Sequence, residues 1–182
     1  MMAILTATPG QTIGPFYGYA LPFDRSNELV PPGFPGAIRL HGEVTDGVGT
    51  PVPDVLLEIW QADADGRVAR SPGSLHRDGW TFTGFGRTGT DDAGRYSFTT
   101  VTPGVTEPGS APFFAVTVFG RGLLNRLFTR CYVPGTWLDG DGFLASVPAE
   151  RRHTLIAEPE AHGLRFDIRL QGHDETVFLR HA

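Results

Sequence analysis

The stretch GEVTDGVGTPVPDVLLEIW, residues 42–60, reads as a strand, a tight reversal and a second strand. Asp46-Gly47 and Gly49 supply the left-handed backbone that a short reversal needs. Apolar and polar residues alternate on both sides of it, in IRLHGEV (38–44) and VLLEIW (55–60). A period of two puts successive side chains on opposite faces, so each strand buries one face and wets the other. The same alternation recurs in RYSFT (95–99), with Asp92, Ala93 and Gly94 forming the turn before it, and in LRFDIRLQ (164–171). In the last of these, Leu164, Phe166, Ile168 and Leu170 share one face, and Arg165, Asp167, Arg169 and Gln171 the other.

With 24 glycines, 15 prolines and no long helical period, the chain is expected to be all-β, two antiparallel sheets packed face to face as a sandwich. A length of 182 residues suits one domain with one core, burying about 70% of the unfolded surface. Residues 1–37 show no alternation and carry Pro31, Pro32 and Pro35; they are read as an extended N-terminal arm reaching for partners on another chain, with the sandwich and its long loops over 38–182. PAERRHTLIA (148–157) is expected to hold a short helix or turn starting at Pro148, with Leu155 and Ile156 turned inward.

Several function classes are disfavoured. The net charge is −5, there is no lysine, and the arginines form no basic stripe, which argues against nucleic acid. No apolar run approaches the ~20 residues of a membrane span. Cys131 is the only cysteine, so no internal disulfide can form, and MMAILTATPGQ does not read as a leader; a cytoplasmic location is expected. Cys131, between Arg130 and Tyr132, is read as a small buried hydrophobe in preference to an activated nucleophile. Asp63, Asp65 and Gly66 resemble part of a calcium loop, but Gln61 and Pro72 stand where ligands belong, which leaves a solvated turn. His162, Asp167 and His173 could form a two-histidine, one-carboxylate site, against the commoner reading of a wet strand face. His41 is assigned to the surface.

LEIWQADADGRV (57–68), FTGFGRTGTDDAGRYSFTTVTPG (82–104) and GRGLLNRLFTRCYVPG (120–135), with QTIGPFY (11–17) and FDIRLQGHDETVF (166–178), resemble the intradiol ring-cleavage dioxygenases, whose sandwich is prealbumin-like. In that family two tyrosines and two histidines hold a ferric ion. The matching positions here are Val68, the stretch Val105, Thr106 and Glu107, and Phe113 and Ala115. Alkyl and phenyl groups offer a metal no electron pair. The resemblance therefore implies the chain of a heteromer that holds no metal and has no catalytic residues of its own. Its partner would be a homologous beta chain carrying Fe(III), in a higher alpha-beta oligomer. The implied reaction is intradiol cleavage of a small aromatic acid, 3,4-dihydroxybenzoate, by dioxygen. By the same resemblance Thr12, Gly14 and Pro15 line the substrate and Arg130 faces its carboxylate, with Arg126 the competitor for that role. Two alternatives are a stand-alone β-sandwich binding module and a self-sufficient dioxygenase with unconventional ligands such as His162 and His173.

Overall fold

The computed structural model describes residues 17–70 and 77–179. Among the described residues, nine strands make two sheets: β1 (Ala37–Thr45), β2 (Leu56–Trp60), β3 (Phe85–Gly89), β4 (Arg95–Val101), β5 (Phe113–Phe119), β6 (Leu127–Tyr132), β7 (Glu158–Glu160), β8 (Gly163–Arg165) and β9 (Ile168–Arg169). The order in one sheet is β4-β1-β8-β7, with β9 also paired to β1; in the other it is β3-β2-β5-β6. The expected sandwich is present. Its inner faces meet where the alternation placed them, with Leu40, Val44, Phe98, Phe166 and Ile168 from one sheet against Leu57, Ile59, Phe114, Val116 and Val118 from the other. Each such side chain, fully buried, contributes roughly 1.5–3 kcal/mol. Cys131 lies in this core, and burial pushes its thiol pKa well up, as befits an inert hydrophobe.

Two expectations need correction. The sheets are not purely antiparallel, because β8 and β9 both run parallel to β1. The chain returns from the far sheet through a long excursion holding a helix α2 (Gly142–Ser146) and two 3₁₀ turns (Thr136–Gly140 and Ala149–Leu155), and so re-enters in the direction of β1. A crossover of that kind permits a parallel pair where a hairpin would not. Residues 164–171 also form two short strands instead of one. The register against β1 is kept, but between the two strands the Asp167 carboxylate accepts from the Glu43 amide at 3.0 Å, in place of a ladder carbonyl. The expected turn at 148–157 is the second 3₁₀ segment, with Leu155 fully buried.

The arm ends sooner than the sequence suggests. Leu29 and Val30 are both 4% exposed, and the Leu29 amide donates to the Thr99 carbonyl at 2.8 Å while the Thr99 amide donates to Asn27. One step earlier, the Arg87 amide of β3 donates to the Ser26 carbonyl at 2.7 Å. Residues 26–30 thus close the open side of the sandwich between β3 and β4. The prolines that follow concealed this, because a segment bridging two sheets has no reason to alternate.

Gly42 marks a tight place in the mixed sheet. A Cβ there would sit 2.0 Å from the Phe166 carbonyl oxygen, the same oxygen that accepts the Tyr96 hydroxyl at 2.5 Å. The contact is backbone, so it cannot swing aside. Gly42→Ala is expected to destabilise the fold by more than about 2 kcal/mol in chemical denaturation, a cost that Gly18→Ala, open on all sides, should not share.

Candidate functional site

The edge-to-edge order of the second sheet places Phe85, Trp60, Ala115 and Arg130 in one row, since Trp60 pairs with both Phe85 and Ala115, and Ala115 with Arg130. Directly opposed residues project to the same face, here the face away from the core. At this end of the sheet, the loops after β2 and β4 fold over the row and leave a cavity of about 160 Å³. Val68, Thr106, Phe113 and Ala115 all line it, together with Trp60, Gln61 and Thr83 among others. The positions that the family resemblance picked out as vacated therefore converge on one space.

Backbone contacts hold the loops. The Asp63 carboxylate accepts the amides of Asp65 and Arg67 at 2.9 and 2.8 Å, which is the work of a turn and not of a calcium ligand. Gly66 adopts φ +81°, and a Cβ on it would lie 2.0 Å from the Val105 carbonyl oxygen. The Gly104 amide donates to the Asp63 carbonyl at 2.8 Å, joining the two loops. Behind them Gln61, 6% exposed, donates to the carbonyls of Ala62 and Val101 at 3.0 and 2.9 Å and accepts the Thr100 hydroxyl. Its polar atoms are satisfied within the wall. What faces the cavity is alkyl and aromatic carbon, with the Thr83 and Thr106 hydroxyls as the remaining side-chain oxygens. Among the described lining residues there is no imidazole, phenolate, thiolate or carboxylate, and that set does not fit a ferric ion.

Arg130 stands beside this space in an environment of its own. Its guanidinium carbon lies 4.3 Å from the centroid of the Phe113 ring and 4.5 Å from that of Phe143, a cation held between two aromatic rings. It donates to the Tyr132 hydroxyl at 3.0 Å, which in turn donates to Asp141 at 3.1 Å. The Asp141 carboxylate also accepts the amides of Leu144, at the start of α2, and of Ala111, at 2.8 and 2.9 Å. Burial pushes Tyr132 up to about 12 despite Arg130 beside it. Burial opposes the charge on Asp141 too, but the two amides, the Tyr132 hydroxyl and Arg130 outweigh it and leave its pKa below the ordinary value.

The other expected site residues fall elsewhere. Thr12, Gly14 and Pro15 lie outside the described residues. The first described part of their arm is the short helix α1 (Tyr17–Ala20), and the buried Tyr17 hydroxyl sits close to the Arg121 backbone and to the Arg121–Asp54 ion pair. Arg121 follows the end of β5, whereas Arg130 pairs with Ala115 near its start, which separates them by on the order of 15 Å along the strands. The described end of the arm is thus beside Arg121 and not beside Arg130. Sequence reading passed over Arg121, although its setting between Gly120 and Gly122 marks an exposed turn. Arg126 is exposed, over the Phe128 ring at 5.0 Å. His162, Asp167 and His173 do not meet: Asp167 pairs with Arg165, and His173, 91% exposed, with its neighbour Asp174. His41 shares a 2.9 Å contact with Glu160 at the sheet surface.

A family model described as Dioxygenase matches residues 13–112. The alpha chain of protocatechuate 3,4-dioxygenase from Burkholderia cepacia is 40% identical over 197 residues, which cover 98% of this chain and 99% of the relative. The corresponding alpha chain from Pseudomonas putida is 37% identical, with 97% of each chain covered. The beta chain from Burkholderia cepacia is 35% identical over 79% of this chain and 68% of its own length. Among solved structures, the dioxygenase domain of a dioxygenase–carbohydrate-binding fusion from Streptomyces sp. SirexAA-E superposes with a TM-score of 0.56 at 24% identity, covering 92% of this chain and 99% of that one. Hydroxyquinol 1,2-dioxygenase from Pseudomonas putida DLL-E4 gives a TM-score of 0.60 at 15% identity, covering 79% and 59%. At such identities these two structures speak for the fold.

The carboxylate at the end of the arginine–tyrosine chain gives a direct test of how this region is held. Asp141 is 2% exposed and satisfies two amides and a hydroxyl, so Asp141→Ala is expected to cost roughly 2–4 kcal/mol in urea denaturation. Its folded pKa is depressed, so the charge-dependent part of this stability is complete above the unfolded carboxylate pKa of about 4 and is lost as pH falls through the folded value. Asp141→Asn should flatten that acid limb of the stability profile.

Proposed function

Because the chain belongs to the intradiol dioxygenase family, we propose that it is the alpha subunit of a protocatechuate 3,4-dioxygenase, working with a homologous beta chain that holds the ferric ion. The holoenzyme inserts both atoms of dioxygen across the bond between the hydroxylated carbons of 3,4-dihydroxybenzoate, giving 3-carboxy-cis,cis-muconate. One observation carries this reading: Val68, Thr106, Phe113 and Ala115 line a single cavity and bring no metal donor to it, while the framework around them is kept. The relatives of nearly equal length that share 37–40% of the sequence are alpha chains. A beta chain of the same ancestry supplies a model for the partner.

In this arrangement the chain orients the substrate and excludes water, and the ring opens at the partner's iron. The N-terminal arm, with Thr12, Gly14 and Pro15, reaches the partner's site. Gly14 allows close backbone approach, Pro15 stiffens the loop and Thr12 offers a hydroxyl. Arg130 neutralises the substrate carboxylate, which would be costly to desolvate alone. The proximity of Tyr17 to Arg121 favours a second assignment, in which Arg121 does this work and Arg130 stays within its aromatic clamp.

Two measurements test the proposal. Co-expression with the beta chain should yield a complex that contains iron and turns over protocatechuate, and this chain purified alone should do neither. Stoichiometric iron and turnover in the lone chain would refute it. For the arginine, Arg130→Ala should raise the KM for 3,4-dihydroxybenzoate at least about tenfold while leaving that for catechol, which lacks the carboxylate, nearly unchanged. If Arg121→Ala produces that split and Arg130→Ala only lowers stability, the carboxylate contact belongs to Arg121.

A further inference from the structure

Arg130 differs from Arg87 and Arg121 in what it is paired with. Arg87 forms an ion pair with Glu58, and Arg121 with Asp54. Among the described residues Arg130 has no ion-pair partner, and its one hydrogen-bond acceptor is the Tyr132 hydroxyl at 3.0 Å. Most N–H donors of this half-buried cation are therefore unspent. The Phe113 and Phe143 rings keep it in place, at 4.3 and 4.5 Å, but attraction to a ring face is unchanged when the cation turns about the ring's normal. A hydrogen bond has a direction. The rings thus set where the guanidinium sits, and the hydroxyl sets which way its remaining donors point. That hydroxyl is itself fixed, because Tyr132 is fully buried and has a single proton to give. The Asp141 carboxylate takes the proton at 3.1 Å and leaves the phenolic oxygen as an acceptor for Arg130. Turned the other way, the hydroxyl would set its proton against an Arg130 N–H and abandon a buried carboxylate. Asp141 also accepts the Leu144 amide at the start of α2, so the same carboxylate seats the helix that carries Phe143.

We infer that Tyr132 and Phe143, both anchored by Asp141, are positioning residues for Arg130. They aim its unspent donors at the substrate carboxylate and act on the substrate only through that arginine. The inference rests on the reading above in which Arg130 is the arginine that meets the carboxylate. To that reading it adds that charge alone is not enough. A guanidinium grips a carboxylate through parallel N–H···O bonds, and a fork turned out of that geometry keeps its charge but loses the pair. Loss of the Tyr132 hydroxyl is therefore felt by a substrate that bears a carboxylate and hardly by one that does not.

The test uses the iron-containing complex with the beta chain. Tyr132→Phe removes the hydroxyl and keeps the buried ring. The KM for 3,4-dihydroxybenzoate divided by that for catechol is expected to rise roughly three- to tenfold, less than in Arg130→Ala, while kcat for 3,4-dihydroxybenzoate changes less than about twofold. In the double variant, Arg130→Ala with Tyr132→Phe, the ratio should equal that of Arg130→Ala alone, because a residue that acts through another has nothing left to act on. Phe143→Leu lies outside the hydrogen-bonded chain and should move the ratio the same way by a smaller factor; it decides the matter if Tyr132→Phe does not assemble. An unchanged ratio in Tyr132→Phe beside a raised one in Arg130→Ala would overturn the inference and leave the assignment of Arg130 standing. An unchanged ratio in Arg130→Ala would remove both. A further rise in the double variant, or equal losses for both substrates, would reduce Tyr132 to a structural role and overturn the inference as well.

Discussion

A carbonyl oxygen occupies the space where a side chain on Gly66 would begin. That approach, 2.0 Å from an imagined Cβ to Val105, can be made only by glycine in the left-handed region, and it fixes the loop after β2 against the loop after β4. The remaining walls follow from it. Once the loops are joined, Val68 and Thr106 must hang over the strand row that presents Trp60 and Ala115. The joining forces are main-chain hydrogen bonds and the buried Gln61 amide, and none of them involves Val68, Thr106, Phe113 or Ala115. A pocket built in this way keeps its shape whatever its lining residues become. Val68, Thr106, Phe113 and Ala115 can therefore stand at these positions without cost to the framework, since the contacts that hold it lie elsewhere.

The sequence disclosed those parts of the fold in which one face of a strand is wet. β1, β2 and β4 alternate plainly, and their buried sets are the ones that the pattern picks out. β5 was less legible because both of its faces are covered: Phe114, Val116 and Val118 point into the core, while Thr117 on the other face is only 8% exposed. A two-sided strand reads as a continuous apolar run. The break between β8 and β9 was illegible for the opposite reason, since the alternation of Leu164, Phe166 and Ile168 passes through it undisturbed and the ladder is interrupted only by the Asp167 side chain. Parallel pairing to β1 leaves no local mark at all. Leu29 and Val30 looked like part of an extended arm because the order they belong to is set by two sheets at once.

At the site, convergence of the vacated positions was legible through the family motifs alone. No periodicity links Val68 to Ala115. The environment of Arg130 was hidden, because half of its aromatic clamp, Phe143, comes from a helix of five residues in the long excursion. The neighbourhood of Arg121 was hidden too, since Tyr17 reaches it across the outer face of the second sheet. The same face carries the ion pair between Glu58 and Arg87, whose guanidinium also donates to the Leu21 carbonyl just after α1. The described end of the arm is therefore seated on the sheet by groups far from it in sequence.

On the proposed reading, in which a partner holds the iron, these placements bear on how this chain could govern a reaction outside its own fold. Substitutions on the cavity side of the second sheet meet a framework of backbone contacts and the hydrogen-bonded chain from half-buried Arg130 to buried Tyr132 and Asp141, so their first effect is on stability and on the geometry of the excursion that holds α2. Substitutions near Asp54, Arg121 and Tyr17 meet an exposed ion pair, with both partners more than half exposed, worth little in stability. A residue can lend its charge to a ligand in trans only if its own fold does not depend on that charge. By this criterion the end of the sheet beneath the arm is the freer of the two to change its contacts, and the aromatic clamp is the more constrained. Function carried by position, and not by chemistry, belongs where the fold has the least to lose.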